Sequence, residues 1–111
     1  MASENYDLIA ALRPDTTDET SLYLVQAGEQ IVGTLNICNQ DTSMRTYRVA
    51  LNFESGAAGG SYFLEYDTEI QPGIGAHRIP IVAGPLRDLR VKASVADKIS
   101  FMFFGMRRSL S

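Results

Sequence analysis

The stretch MRTYRVALNF, residues 44–53, decides the fold. Tyr47, Val49, Leu51 and Phe53 fall on one side of an extended chain, and Arg48, Ala50 and Asn52 on the other. A period of two, with aromatic and β-branched residues on the apolar side, predicts a half-buried strand. Such residues pack well on a pleated surface.

Upstream, EQIVGTLNIC (29–38) repeats the pattern, with Ile31, Gly33, Leu35 and Ile37 on one face and Val32, Thr34, Asn36 and Cys38 on the other. The NQDTS turn (39–43) is rich in residues that bend the chain, which predicts a hairpin joining 29–38 to 44–53. SLYLVQ (21–26) reads as a strand closed by Ala27-Gly28. In NYDLIAAL (5–12), Tyr6, Leu8, Ala10 and Leu12 alternate up to Pro14, which favours a strand over a short helix. RPDTTDET (13–20) is a polar turn, so residues 1–20 read as an N-terminal arm and turn.

Downstream, ESGAAGG (54–60) reads as a loop. In SYFLEYDTEI (61–70), Tyr62, Leu64 and Tyr66 share a face expected to be core, while Phe63, Glu65, Asp67 and Glu69 form a solvated face. After the QPGIGA turn (71–76), HRIPIV (77–82) points Ile79 and Ile81 inward. Pro80 lacks a backbone donor, which places this strand at an edge or a bulge. LRVKASV (89–95) turns Leu89, Val91, Ala93 and Val95 inward. The last strand, ISFMFFGM (99–106), is apolar on both faces, with Ile99, Phe101 and Phe103 on one and Met102, Phe104 and Met106 on the other. RRSLS (107–111) reads as a frayed basic tail. About eight strands at the spacing of all-β domains, with no helix, predict one antiparallel β-sandwich over residues 1–111, jelly-roll-like.

The totals narrow the function. The 111 residues suit one domain, and the 45% apolar content suits a modest core. Net charge is −3 with Lys and Arg scattered, whereas a nucleic-acid or anionic-membrane surface wants a basic stripe. No apolar run is long enough to span a bilayer, and the N-terminus lacks the pattern of a secretory signal. The lone Cys38 forms no intrachain disulfide and is expected to be a buried, unreactive thiol made in a reducing compartment.

No catalytic, cofactor or metal motif stands out. Asp15, Asp18 and Glu19 lack the ligand spacing of a calcium loop. The glycine-rich 54–60 segment precedes no helix and carries no GK[ST], so it is no phosphate cradle. Glu65 and Asp67 on one strand do not make the opposed pair of a glycosidase. His77, the single histidine, has no nucleophile motif beside it and reads as a surface residue. The Met102, Phe104, Met106 face is different. An apolar outer face on a terminal strand suits subunit packing, which makes these three the candidate interface.

The order of segments also resembles a family of small bacteriophage-encoded all-β virion structural proteins. The matching pieces are SLYLVQAGEQIVGTLNICNQ (21–40), TYRVAL (46–51), YFLEYDTEI (62–70), LRVKASV (89–95) and ISFMFFG (99–105). They belong to a pattern spread over nearly the whole chain. Gln26 stands where members usually carry proline, and the GMRRSLS ending differs from their usual acidic one. The resemblance implies a non-enzymatic part of a phage particle, made in the host bacterial cytoplasm. It would lie in the tail, baseplate or fibre apparatus, or alternatively serve as capsid decoration. The partners it implies are further copies of the chain in a trimer or ring, and other virion proteins. An alternative of another class is a carbohydrate-binding adhesion module for a host glycan, which needs Tyr6, Tyr23 and Tyr47 turned outward.

Overall fold

The computed structural model describes residues 6–53, 62–73 and 77–109. The expected loop at 54–60 and half of the residues expected to turn at 71–76 (74–76) therefore lie outside the described residues, as do residues 1–5, Ser61 and residues 110–111. The described residues form eight strands and no helix: β1 (Asp7–Leu12), β2 (Thr20–Leu24), β3 (Glu29–Asn39), β4 (Arg45–Phe53), β5 (Phe63–Ile70), β6 (His77–Ala83), β7 (Arg87–Ala93) and β8 (Ile99–Ser109). They build two four-stranded antiparallel sheets, ordered β1-β8-β3-β6 and β2-β7-β4-β5. The molecule is an all-β sandwich.

The topology has a simple generator. β4 pairs with β5, β3 with β6, β2 with β7 and β1 with β8, so the chain doubles back as one long antiparallel ribbon. Rolling that ribbon brings β8 beside β3 and β7 beside β4. This is the strand arrangement of a jelly roll. The expected hairpin between 29–38 and 44–53 does not form, because β3 and β4 lie in different sheets. Asn39 explains the crossing. Fully buried, it donates through Nδ2 to the carbonyls of Ser43 and Ile70, both at 2.9 Å, and its Oδ1 accepts from the Asp41 amide at 2.9 Å. The side chain thus ties the end of β3 to the end of β5 in the other sheet.

The core lies between the sheets, and the period-two reading supplies most of it. Ile31, Leu35 and Ile37 from β3, Leu89, Val91 and Ala93 from β7, and Ile99, Phe101 and Phe103 from β8 are all fully buried. Tyr47 and Val49 of β4 join them, and Leu51 packs against the cluster half-buried. Ala50 and Asn52, on the opposite face of β4, are buried as well. Ala50 lies across from Phe63 of β5.

Two expectations fail for reasons of register. Tyr62, Leu64 and Tyr66 are exposed, at 61%, 44% and 57%, and are not core. The β4–β5 ladder slips between Tyr47 and Val49, which sets Tyr66 beside Asp67 on the outer face, and again between Val49 and Ala50, where Leu64 is the extra residue. Tyr62 lies just ahead of β5. The tail expected at 107–111 is strand as far as Ser109, with Arg107 opposite Ile31 and Ser109 opposite Glu29. Arg107 also donates a hydrogen bond to Tyr23, whose hydroxyl bonds Glu29 at 2.9 Å. That polar cluster pins the last turn of the ladder.

Candidate subunit interface

β8 is the inner strand that carries the candidate face. Its alternation sends Phe101 and Phe103 into the core and leaves Met102, Phe104 and Met106 half-buried on the outer surface of the β1-β8-β3-β6 sheet. Strand order then supplies neighbours that the sequence reading did not group with them. Met106 lies opposite Val32 of β3, and Val32 opposite Val82 of β6. Leu8 of β1, Phe104, Thr34 and Pro80 make a second row. Ala11, Met102, Asn36 and Arg78 make a third. Side chains opposite one another on adjacent strands are in reach, so the rows form one continuous patch.

The patch is apolar and open. Val82 is 63% exposed and Leu8 44%, and Arg78 is the one charged side chain in the three rows. The outer surface of the other sheet is charged and internally paired. Arg48 makes a two-point contact with Asp67 at 2.7 and 3.1 Å, and Arg90 bridges Asp88 at 2.8 Å and Glu19 at 3.3 Å. Glu19, expected in a solvated turn, is drawn in by Arg90.

The geometry beneath the patch is tight. Gly33 and Gly105 face each other across β3 and β8. A Cβ on Gly33 would stand 2.1 Å from the Phe104 carbonyl oxygen, so only glycine permits the two backbones to approach this closely.

All four edge strands carry devices that disfavour strand addition. The β1–β8 register shifts between Leu8 and Ala10, and the β2–β7 register between Ser21 and Tyr23. β5 carries two shifts and a left-handed Asp67 at φ +51°. β6 has Pro80, at the edge position its missing donor implied.

The remaining sequence candidates are placed as follows. His77 is half-buried and not simply on the surface, because its Nδ1 lies 2.9 Å from the Tyr47 hydroxyl and links β6 of one sheet to β4 of the other. Burial, reinforced by Glu65, pushes the Tyr47 phenol up to about 12. Cys38 is half-buried on the outer side of β3, with Sγ 3.9 Å from the Gly73 carbonyl. Of the tyrosines that the carbohydrate reading requires outward, only Tyr6 is exposed. Tyr47 is buried and Tyr23 packs half-buried against the core, so that arrangement is corrected. Among the described residues no group of three or more His, Cys, Asp or Glu stands close enough to share a metal ion.

Compared with known families, curated proteins and solved structures, the chain finds no match in any of the three.

Proposed function

We propose that this protein is a bacteriophage virion structural component. It assembles by symmetric subunit packing through the outer face of the β1-β8-β3-β6 sheet, and it sits in the tail, baseplate or fibre apparatus. The observation that carries the reading is the continuous apolar patch of Leu8, Val32, Pro80, Val82, Met102, Phe104 and Met106 on a rigid sandwich. The largest apolar patch on a domain surface is often a functional contact surface. The resemblance of the segment order to small phage all-β proteins is what suggests the virion context, and decoration of the capsid is the alternative site within it.

Strand spacing and rise give the patch an area of roughly 400 Å², about half of what each partner buries in a stable two-body interface. The isolated chain is therefore expected to associate reversibly, with the assembled particle supplying further contacts. Sedimentation over a concentration series tests this. The wild-type chain should move from monomer towards a closed oligomer, and Phe104→Asp should remain a folded monomer throughout. If Phe104→Asp unfolds outright, the residue serves the core and the interface assignment fails. A wild-type chain that stays monomeric at every concentration also refutes it. Cryo-electron microscopy of the particle decides between tail and capsid.

A further inference from the structure

The geometry points to a second surface, a saccharide-binding subsite built by the bulge in β5 around Tyr66, Asp67 and Arg48. This site is independent of the packing face and lies on the other sheet. Along a regular strand, successive side chains point to opposite faces. Here Val49 pairs with Glu65 and Tyr47 with Thr68, so Tyr66 and Asp67 together stand against Arg48 alone. Bulges re-aim side chains in this way, often at functional sites. The cost is visible in the left-handed φ of +51° at Asp67, a conformation that Asp tolerates better than most residues.

The result is a preorganised cluster. The Arg48 guanidinium lies 4.0 Å from the Tyr66 ring centroid, and its Nε and Nη2 donate to the two Asp67 carboxylate oxygens. Phe63 meets Tyr66 edge to face at 4.9 Å and braces the ring. With Arg48 over the ring and Phe63 packed against it at a steep angle, Tyr66 remains 57% exposed. The Asp67 side chain is 52% exposed. Hydrogen bonding to Arg48 holds its carboxyl below the usual range, so it is a constant acceptor at neutral pH. Beside the cluster is a small cavity of about 30 Å³, lined by Arg48, Asp67, Lys92, Thr46 and Ser94 together with Tyr47 and Ala93. That is room for a water or a single hydroxyl group.

The chemistry selects the ligand class. The exposed part of the Tyr66 ring offers apolar surface to the C–H groups of a pyranose, and locked donors and acceptors take its hydroxyls. Arg48 and Lys92 are offset by Asp67 and the exposed Glu69, so there is no net positive charge to capture phosphate. A neutral ligand with both donors and acceptors fits better than an anion. The site is shallow, which places binding in the millimolar range, with affinity gained through repetition if several copies act together.

Saturation-transfer NMR on the full chain tests the assignment, using the methyl glycosides of glucose, galactose, mannose and N-acetylglucosamine, with inorganic phosphate as competitor. At least one glycoside should give saturable transfer that phosphate does not displace. Tyr66→Ala should weaken binding about tenfold or more, the loss of a stacking contact. Tyr66→Phe should retain it. Asp67→Asn keeps a residue tolerant of positive φ, and should weaken binding severalfold while the fold stays intact. Exposed Tyr6, on the other sheet's side, serves as control, and Tyr6→Ala should bind as wild type. The inference is overturned if no glycoside binds, if phosphate displaces the glycoside, or if both Tyr66→Ala and Asp67→Asn bind unchanged.

Discussion

Replacing Gly33 by alanine should cost this protein about 3 kcal/mol of folding stability. The new Cβ would stand 2.1 Å from the Phe104 carbonyl oxygen, 2.5 Å from Gly105 Cα and 2.9 Å from the Phe104 carbonyl carbon. All three are backbone atoms, so no side chain can swing aside. Non-bonded carbon contacts settle at about 3.5–4.0 Å, so β3 and β8 must part by roughly 1 Å or more. Overpacking of this kind costs about 1–3 kcal/mol. Two weakened ladder hydrogen bonds add about 1 kcal/mol each. Relief of the glycine's unfolded-state entropy returns about 0.5–1 kcal/mol. The net falls near 3 kcal/mol, or about 12 °C in melting temperature for a domain of this size.

Urea unfolding of wild type and variant measures this directly. Gly28→Ala is the matched control. A Cβ there meets nothing within 4 Å, but φ is +76°, so only backbone strain of about 1 kcal/mol is expected. Gly105→Ala should resemble Gly33→Ala, because its Cβ would stand 2.3 Å from the Val32 carbonyl oxygen. The double variant should cost less than the two singles together, since one separation of the strands accommodates both methyls. A Gly33→Ala protein no less stable than Gly28→Ala would refute the close approach. The two strands also carry Val32, Phe104 and Met106, so the same variant should weaken self-association.

Two further outcomes follow from groups that tie the sheets together. Tyr47→Phe removes the hydroxyl bond to His77 and should cost about 1 kcal/mol at neutral pH. The folded Tyr47 pKa of about 12 lies above the ordinary 10, so its contribution is complete below pH 10 and is lost as pH rises towards 12. Wild type should therefore lose stability over that window in alkaline melts, and Tyr47→Phe should lose less. Asn39→Ala strands the Ser43 and Ile70 carbonyls and the Asp41 amide, and should cost about 3 kcal/mol by chemical denaturation.

What could be read in advance was the phase of each strand. In β3, β7 and β8, alternation alone separates Leu35, Val91 and Phe103 from Thr34, Lys92 and Phe104, because sidedness is a local property of an extended chain. Pairing is not local. NQDTS looks like a hairpin turn, and what decides otherwise is a bond from Asn39 to Ile70, thirty-one residues away. Bulges are equally invisible beforehand, and the two in β5 leave Tyr66 and Leu64 in solvent. The same limits explain the sites. Met102, Phe104 and Met106 were legible because β8 is apolar on both faces. Their companions Leu8, Val32, Pro80 and Val82 come from three other strands and need the strand order. The Tyr66–Arg48–Asp67 cluster needs the bulge itself.

The contrast between the two outer faces bears on how assembly would end. A sandwich that was apolar on both sides could stack without limit, and one with open, regular edges could extend as a continuous sheet. Neither route is open to this molecule. Its edges are bulged or carry proline. Head-to-tail stacking would press Leu8, Phe104 and Val82 against Arg48, Asp67 and Lys92, desolvating charges with no new partner. Packing of the apolar face against its own copy about a two-fold axis buries both patches and leaves both charged faces in water. Such a contact would close on itself and would leave the β5 clusters on the outside of the pair, open to the proposed ligand.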